Sequence, residues 1–206
     1  MSLYDVIAAG HRGQCFALMA RRFMISEPQA ALAVRHLLPV LLPSFEAWIS
    51  APGGLASFLE AMERSGYEKA LVSPAVLSNH FERDRGLHLL EQFRSVREFD
   101  GAAFGQAVAG SGLSYRVLVQ MLPYVALFFM GALRTGCEAP LRDVLARRMG
   151  STVKAAANPF AELSQMIAWE TKGERHGLLA NVLGGLLGNI SAARDNRQTV
   201  AATSPI

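Results

Sequence analysis

His80, Asp84 and His88 come nearest in this chain to a metal-binding set. Spaced i, i+4, i+8, they share one face of an unbroken helix. Two imidazoles and a carboxylate are donors that zinc and similar ions accept. The spacing argues against a site. His80 and His88 stand about 12 Å apart along a helix axis, too far to share one ion. Gly86 invites a break, and Arg83 and Arg85 bring positive charge. A solvated helix face is the stronger reading, so no metal, cofactor or catalytic residue is assigned.

The other chemical candidates are weaker. Gly110-Ser111-Gly112 lacks the Gly-x-Ser-x-Gly pattern after a strand that makes a nucleophile elbow, and turn chemistry accounts for it. No glycine-rich loop follows a strand, so no phosphate-binding fingerprint is present. Cys15 has Arg12 nearby but falls on an apolar helical face, where a thiol packs rather than reacts. His36, beside Leu37 and Leu38, reads as a packed or rim histidine; His11 and His176, beside glycines, read as loop residues. Arg21-Arg22 and the cluster Arg142, Arg147 and Arg148 are basic enough to meet phosphates. Without a recognition helix or a basic stripe, nucleic-acid binding ranks low. No small-molecule substrate is evident.

These residues sit in a chain of 206 residues with 51% hydrophobic and 18% charged content, enough for one ordinary domain and an extension. The formal net charge is only +3, mostly from arginine. The first residues lack a charged and then apolar leader, with Asp5 where a signal would be apolar. Cys15 and Cys137 form no CxxC pair, which fits a reducing cytoplasm.

The elements are organised around Val117–Leu133, seventeen residues without a charge, closed by Arg116 and Arg134. Ser114 is an N-cap and Gly136 a stop, so the helix is expected over about 115–135. It is apolar all round, as in a buried core helix or a membrane span. At roughly 26 Å it falls short of the ~30 Å hydrocarbon core of a bilayer. Gln120 and Pro123 weaken a span further, so a buried central helix is the expectation. Pro123 should kink or break it.

The remaining segments also read helical, and none shows strand alternation. Ser2 with Asp5 approximates a capping box for a short helix ending at Gly10. A second helix is expected over Gly13–Phe23. Ser26 caps a third, with Glu27 and Pro28 in its first turn. Pro39 and Pro43 predict a break before Pro39 and a new helix to about Ile49. After the Ala51-Pro52-Gly53-Gly54 turn come Leu55–Arg64, a stretch from Ser73-Pro74 through Glu82–Phe93, and Asp100–Ala109. A basic helix, Ala139–Met149, is expected to stop at Gly150. The units Ile25-Ser26 with Leu38-Pro39 and Leu113-Ser114 with Leu122-Pro123 echo one another, with cap-to-proline distances of 13 and 9 residues. Either two copies of cap, helix and proline pack about a pseudo-twofold, or the echo is coincidental.

MSLYDVI, ISEPQAALAVRHLLPVLLPSF, PGGLASFLE and SGLSYRVLVQMLPYVALFFMGAL follow one another along roughly the first 135 residues. In that order they resemble the YidB-like family of bacterial proteins, a domain of unknown function. The resemblance implies a compact array of short helices in a bacterial cytosolic protein and brings no activity, cofactor or catalytic residue. Phe93-Arg94 departs from it, standing where relatives tend to have Phe-Gly.

The expectation is therefore an all-α multihelical domain over 1–150, with a linker, an apolar helical tail and a polar C-terminus over 151–206. In the tail, Leu178, Leu179, Val182, Leu183, Leu186, Leu187 and Ile190 make a wide apolar face. Gly184 and Gly188 allow close helix approach, and Trp169 precedes them. Leu178–Ile190 is too short to span a bilayer. The tail docks on its own domain, on a second copy or a protein partner, or on a membrane surface. The candidate interaction surface is Trp169, Leu179, Val182, Leu183, Leu186 and Leu187. A non-enzymatic interaction or scaffolding module in the cytoplasm ranks first, a peripheral or inserted membrane protein second, and a metal-binding or enzymatic protein last.

Overall fold

The computed structural model describes residues 2–64, 66–95 and 99–149, with side chains to Gly136 apart from Arg64. Within these residues the protein is all-α. Seven α-helices follow in order: α1 (Leu3–Gly13), α2 (Cys15–Phe23), α3 (Glu27–Ser50), α4 (Gly54–Arg64), α5 (His80–Arg94), α6 (Gly101–Ser111) and α7 (Tyr115–Met149). Two short 3-10 helices, Tyr67–Leu71 and Pro74–Leu77, lie between α4 and α5. There is no strand among the described residues.

The helix starts follow from local side-chain chemistry. The Ser2 hydroxyl accepts from the Asp5 N–H at 3.2 Å while the Asp5 carboxylate accepts from the Ser2 N–H at 2.8 Å, a complete capping box. Ser26 and Gln29 repeat it at the start of α3. Asn79 caps α5 and Asp100 caps α6 through their side-chain oxygens. Ser114 accepts from the Val117 N–H at 3.4 Å at the start of α7.

α7 is the axis of the fold. Every residue from Met121 to Leu133 is buried, so this stretch meets protein on all sides. Phe129 of α7 lies 5.0 Å, ring centre to ring centre, from Phe45 of α3, edge to face. Phe45 also meets Phe58 of α4 and Phe93 of α5, each at 5.6 Å. Trp48 of α3 lies 5.4 Å from Phe93. This cluster joins four helices; such a pair contributes about 0.5–1.5 kcal/mol beyond the area it buries.

Two helices are longer than the sequence suggested. α3 runs through Pro39 and Pro43 for 24 residues without the expected break. Arg35 and Pro39 are exposed, so the Arg35 carbonyl freed by Pro39 faces the solvent side. The opposite side packs Val34, Leu37, Leu41 and Phe45 into the core, which holds the helix together against the loss of about 3 kcal/mol at each proline. α7 likewise passes Pro123 without a break, and it passes Gly136 and Pro140, so Ala139–Met149 is its continuation rather than a separate helix. Here the burial of thirteen consecutive residues outweighs the loss at Pro123. Gly86 does not interrupt α5 either; it is buried against α7. α2 begins at Cys15, because residues 11–13 form a left-handed elbow.

α3 and the Tyr115–Gly136 part of α7 are long and apolar enough to cross a membrane. In the protein as folded, the Met121–Leu133 core of the second is enclosed by other helices.

Candidate functional site

The metal candidate is the first to be placed. His80, Asp84 and His88 are all exposed on α5. His80 stacks on Phe81 at 4.2 Å. His88 faces along its own helix, with Nδ1 3.7 Å from Glu91 and Nε2 3.4 Å from the Gln92 amide. The three side chains share a face and converge on no point. Among the described residues no group of three His, Cys, Asp or Glu gathers to hold a metal ion.

Ser111 is a structural residue. Its buried hydroxyl donates to the Ala107 carbonyl at 2.6 Å and accepts from the Leu113 N–H at 3.3 Å, closing the turn between α6 and α7. Cys15 is fully buried, and burial pushes its thiol up to about 12, far from thiolate chemistry. His36 lies half-buried on α3 under Gly110 of α6, where a Cβ would overlap its ring. Arg22 donates from Nε to the Leu77 carbonyl at 2.8 Å and lies over the Phe23 ring, so it anchors α2 to the second 3-10 helix. Two further arginines hold the first 3-10 helix. Arg134 of α7 pairs with Glu68 at 2.8 Å, and Arg85 of α5 lies 5.4 Å over Tyr67.

His11, expected in a loop, lies in the left-handed elbow and is also buried against the central helix, with its ring 5.9 Å from Phe128. Burial holds it below the ordinary histidine value, opposed by the backbone carbonyls of Val72 and Ala70. Arg94, at the departure from the Phe-Gly pattern, ends α5 and lies 5.9 Å over Phe99.

The surface feature missed in the sequence is apolar. Met24 is 91% exposed, Val72 73% and Phe81 66%. Each lies within a few residues of the 3-10 helix Pro74–Leu77 or of a residue bonded to it. Val72 precedes it by two residues, Phe81 follows it by four, and Met24 comes two residues after the Arg22 that bonds Leu77. On α7, Tyr115 and Val119 are exposed one turn apart. The signal available in sequence was Met24 between a helix end and the Ser26 cap. It takes a left-handed conformation that closes α2, which turns its side chain outward. Trp169, Leu179, Val182, Leu183, Leu186 and Leu187, together with Arg142, Arg147, Arg148 and His176, lie outside the residues whose side chains are described.

Compared with protein-family models, with curated proteins and with solved structures, the chain has no match.

Proposed function

We propose that this chain is a non-enzymatic helical interaction or scaffolding module, of the YidB-like kind its sequence resembles, acting in the cytoplasm on a protein partner or a second copy of itself. The observation that carries this reading is the exposure of three large apolar side chains, Met24, Val72 and Phe81. Covering such large apolar side chains with a partner would remove them from water, which favours association. The tail face built on Leu179, Val182, Leu183, Leu186 and Leu187 supplies a second contact in the same reading.

The test compares the full-length chain with a Met24→Asp/Phe81→Asp variant. Sedimentation gives the oligomeric state and capture from cell extract gives partners. The expected outcome is a second copy or a partner held by the wild type and lost in the variant at unchanged melting temperature. Identical assemblies in both overturn the proposal.

A second reading is attachment to a membrane, favoured by the two helices of sufficient length and hydropathy. Fractionation before and after an alkaline carbonate wash decides it. A protein that stays soluble excludes attachment. Release by the wash indicates surface attachment, and resistance to it indicates insertion.

A further inference from the structure

We infer that His11 is a proton-operated latch: its neutral ring, lodged beside Phe128, holds a left-handed elbow between α1 and α2, and protonation releases α1 from the central helix.

The elbow is unusual backbone. His11, Arg12 and Gly13 take φ values of 53°, 60° and 80° in succession. Glycine accepts this at no steric cost, but each non-glycine residue is strained by the approach of its Cβ to the following carbonyl oxygen. Such a run persists only where its surroundings over-determine it. Arg12 is exposed and contributes little. The compensation is the burial of His11, 7% exposed, and of Gly10, which sits tightly on Leu71.

The ring is poorly provided for as a cation. Neither Nδ1 nor Nε2 has a hydrogen bond of good geometry. The backbone carbonyls of Val72 and Ala70 favour the protonated form but do not offset its desolvation. The charged groups on the packed elements are otherwise engaged or exposed. Asp5 belongs to the Ser2 cap and Glu68 to Arg134. Arg12, Arg21, Arg22, Arg35 and Lys69 are exposed cations. The Tyr124 phenol of α7 is buried. Among the described residues no carboxylate is placed to receive an imidazolium.

The device follows from linkage. With the elbow open, His11 is in water and takes a proton near its ordinary value; closed, it resists. Over that window the open-to-closed ratio rises as pH falls, by at most about tenfold per unit for one proton per opening. Opening also lets His11 and Arg12 leave the left-handed region, so strain relief and protonation act together.

Amide exchange of the full-length protein tests this between pH 7.5 and 5.0, corrected for intrinsic exchange chemistry. The expected result is opening of the α1 amides that increases as pH falls below about 6.5 and that exceeds the opening of the α5 amides at each pH. His11→Asn keeps a side chain tolerant of left-handed backbone and removes the titration, so its α1 opening should be flat. If that variant does not fold, NMR titration of the wild-type imidazole decides. Half-titration below the ordinary value, together with α1 shifts, supports the latch. Unchanged α1 protection in the wild type, the same acid response in His11→Asn, or an imidazole that titrates without any α1 response overturns it.

Discussion

Gly86 of α5 lies against the backbone of Pro123 on α7, so closely that a Cβ at position 86 would fall 2.7 Å from the Pro123 carbonyl carbon. The obstacle is backbone and cannot swing aside. This contact lets α5 sit on the central helix next to its proline, and it brings Phe93 within 6.3 Å of Phe129.

Gly86→Ala therefore tests the packing. Alanine gains about 1 kcal/mol of helix propensity over glycine, but forcing a methyl into a filled contact costs about 1–3 kcal/mol. The overlap here is severe, so net destabilisation is expected. Gly105→Ala on α6 is the control, since nothing lies within 4 Å of its Cβ position. There the propensity gain should survive as about 0.5–1 kcal/mol of added stability. Urea denaturation of the two variants should give midpoints on opposite sides of wild type; shifts of the same sign would show that the α5–α7 contact is looser than described.

The prolines give a second prediction. Pro39 is exposed in the middle of a helix that continues past it. Alanine there restores a hydrogen bond to the Arg35 carbonyl and removes no buried side chain. Pro39→Ala should stabilise by about 1–3 kcal/mol. Thermal unfolding checks this, and a lower melting temperature would mean that a proline-induced bend is part of how α3 fits the core.

What the sequence revealed and what it hid divide along physical lines. Ser2 with Asp5, Ser26 and Ser114 act through three or four neighbouring residues, so these helix starts were legible. The all-α class and a central apolar helix were legible too, because seventeen uncharged residues between a cap and a glycine favour one helix that is apolar all round. The failures are cases where tertiary packing overrode a local rule. Pro39 read as a break and Pro123 as a kink or break, yet buried side chains carried the helices through. Gly86 read as a weak point because its neighbour, Pro123, is 37 positions away. His11 was legible as a turn residue beside Gly10 and Gly13, but its burial was not, because that depends on contact with the distant Phe128. For the candidate site, the poor geometry of His80 and His88 could be judged from helix rise alone. The exposure of Met24, Val72 and Phe81 depends on how α2 meets Pro74–Leu77.

Stability should depend on pH through His11. Its folded value lies below its unfolded one, because burial disfavours the charged ring. The unfolded chain then binds more protons as pH falls below about 6.5, so stability is full above that value and declines below it. Asp5 is also lowered, chiefly by the Ser2 backbone N–H, but its window lies lower still. It contributes above the ordinary carboxylate value and fades in stronger acid. Denaturation midpoints at pH 7.5, 6.5 and 5.5 should fall in order for wild type and much less for His11→Asn. A flat wild-type profile would show that the ring accepts its proton in place.

Cys15 provides a direct probe of the interior. Its thiol is fully buried and titrates only near 12, so at pH 8 almost none is thiolate. The thiolate is the species that attacks disulfide reagents. In a Cys137→Ser background, native protein should therefore not react with such a reagent at pH 8 on the timescale of minutes. One thiol should appear at once when guanidinium is added. The rate in native protein has a further use. Cys15 opens α2 directly after the His11–Gly13 elbow, so modification has to wait for that region to open. Slow labelling that accelerates with dilute denaturant would report local opening of α1 and α2. Immediate labelling without denaturant would place Cys15 at the surface and contradict the packing of α2 on α3.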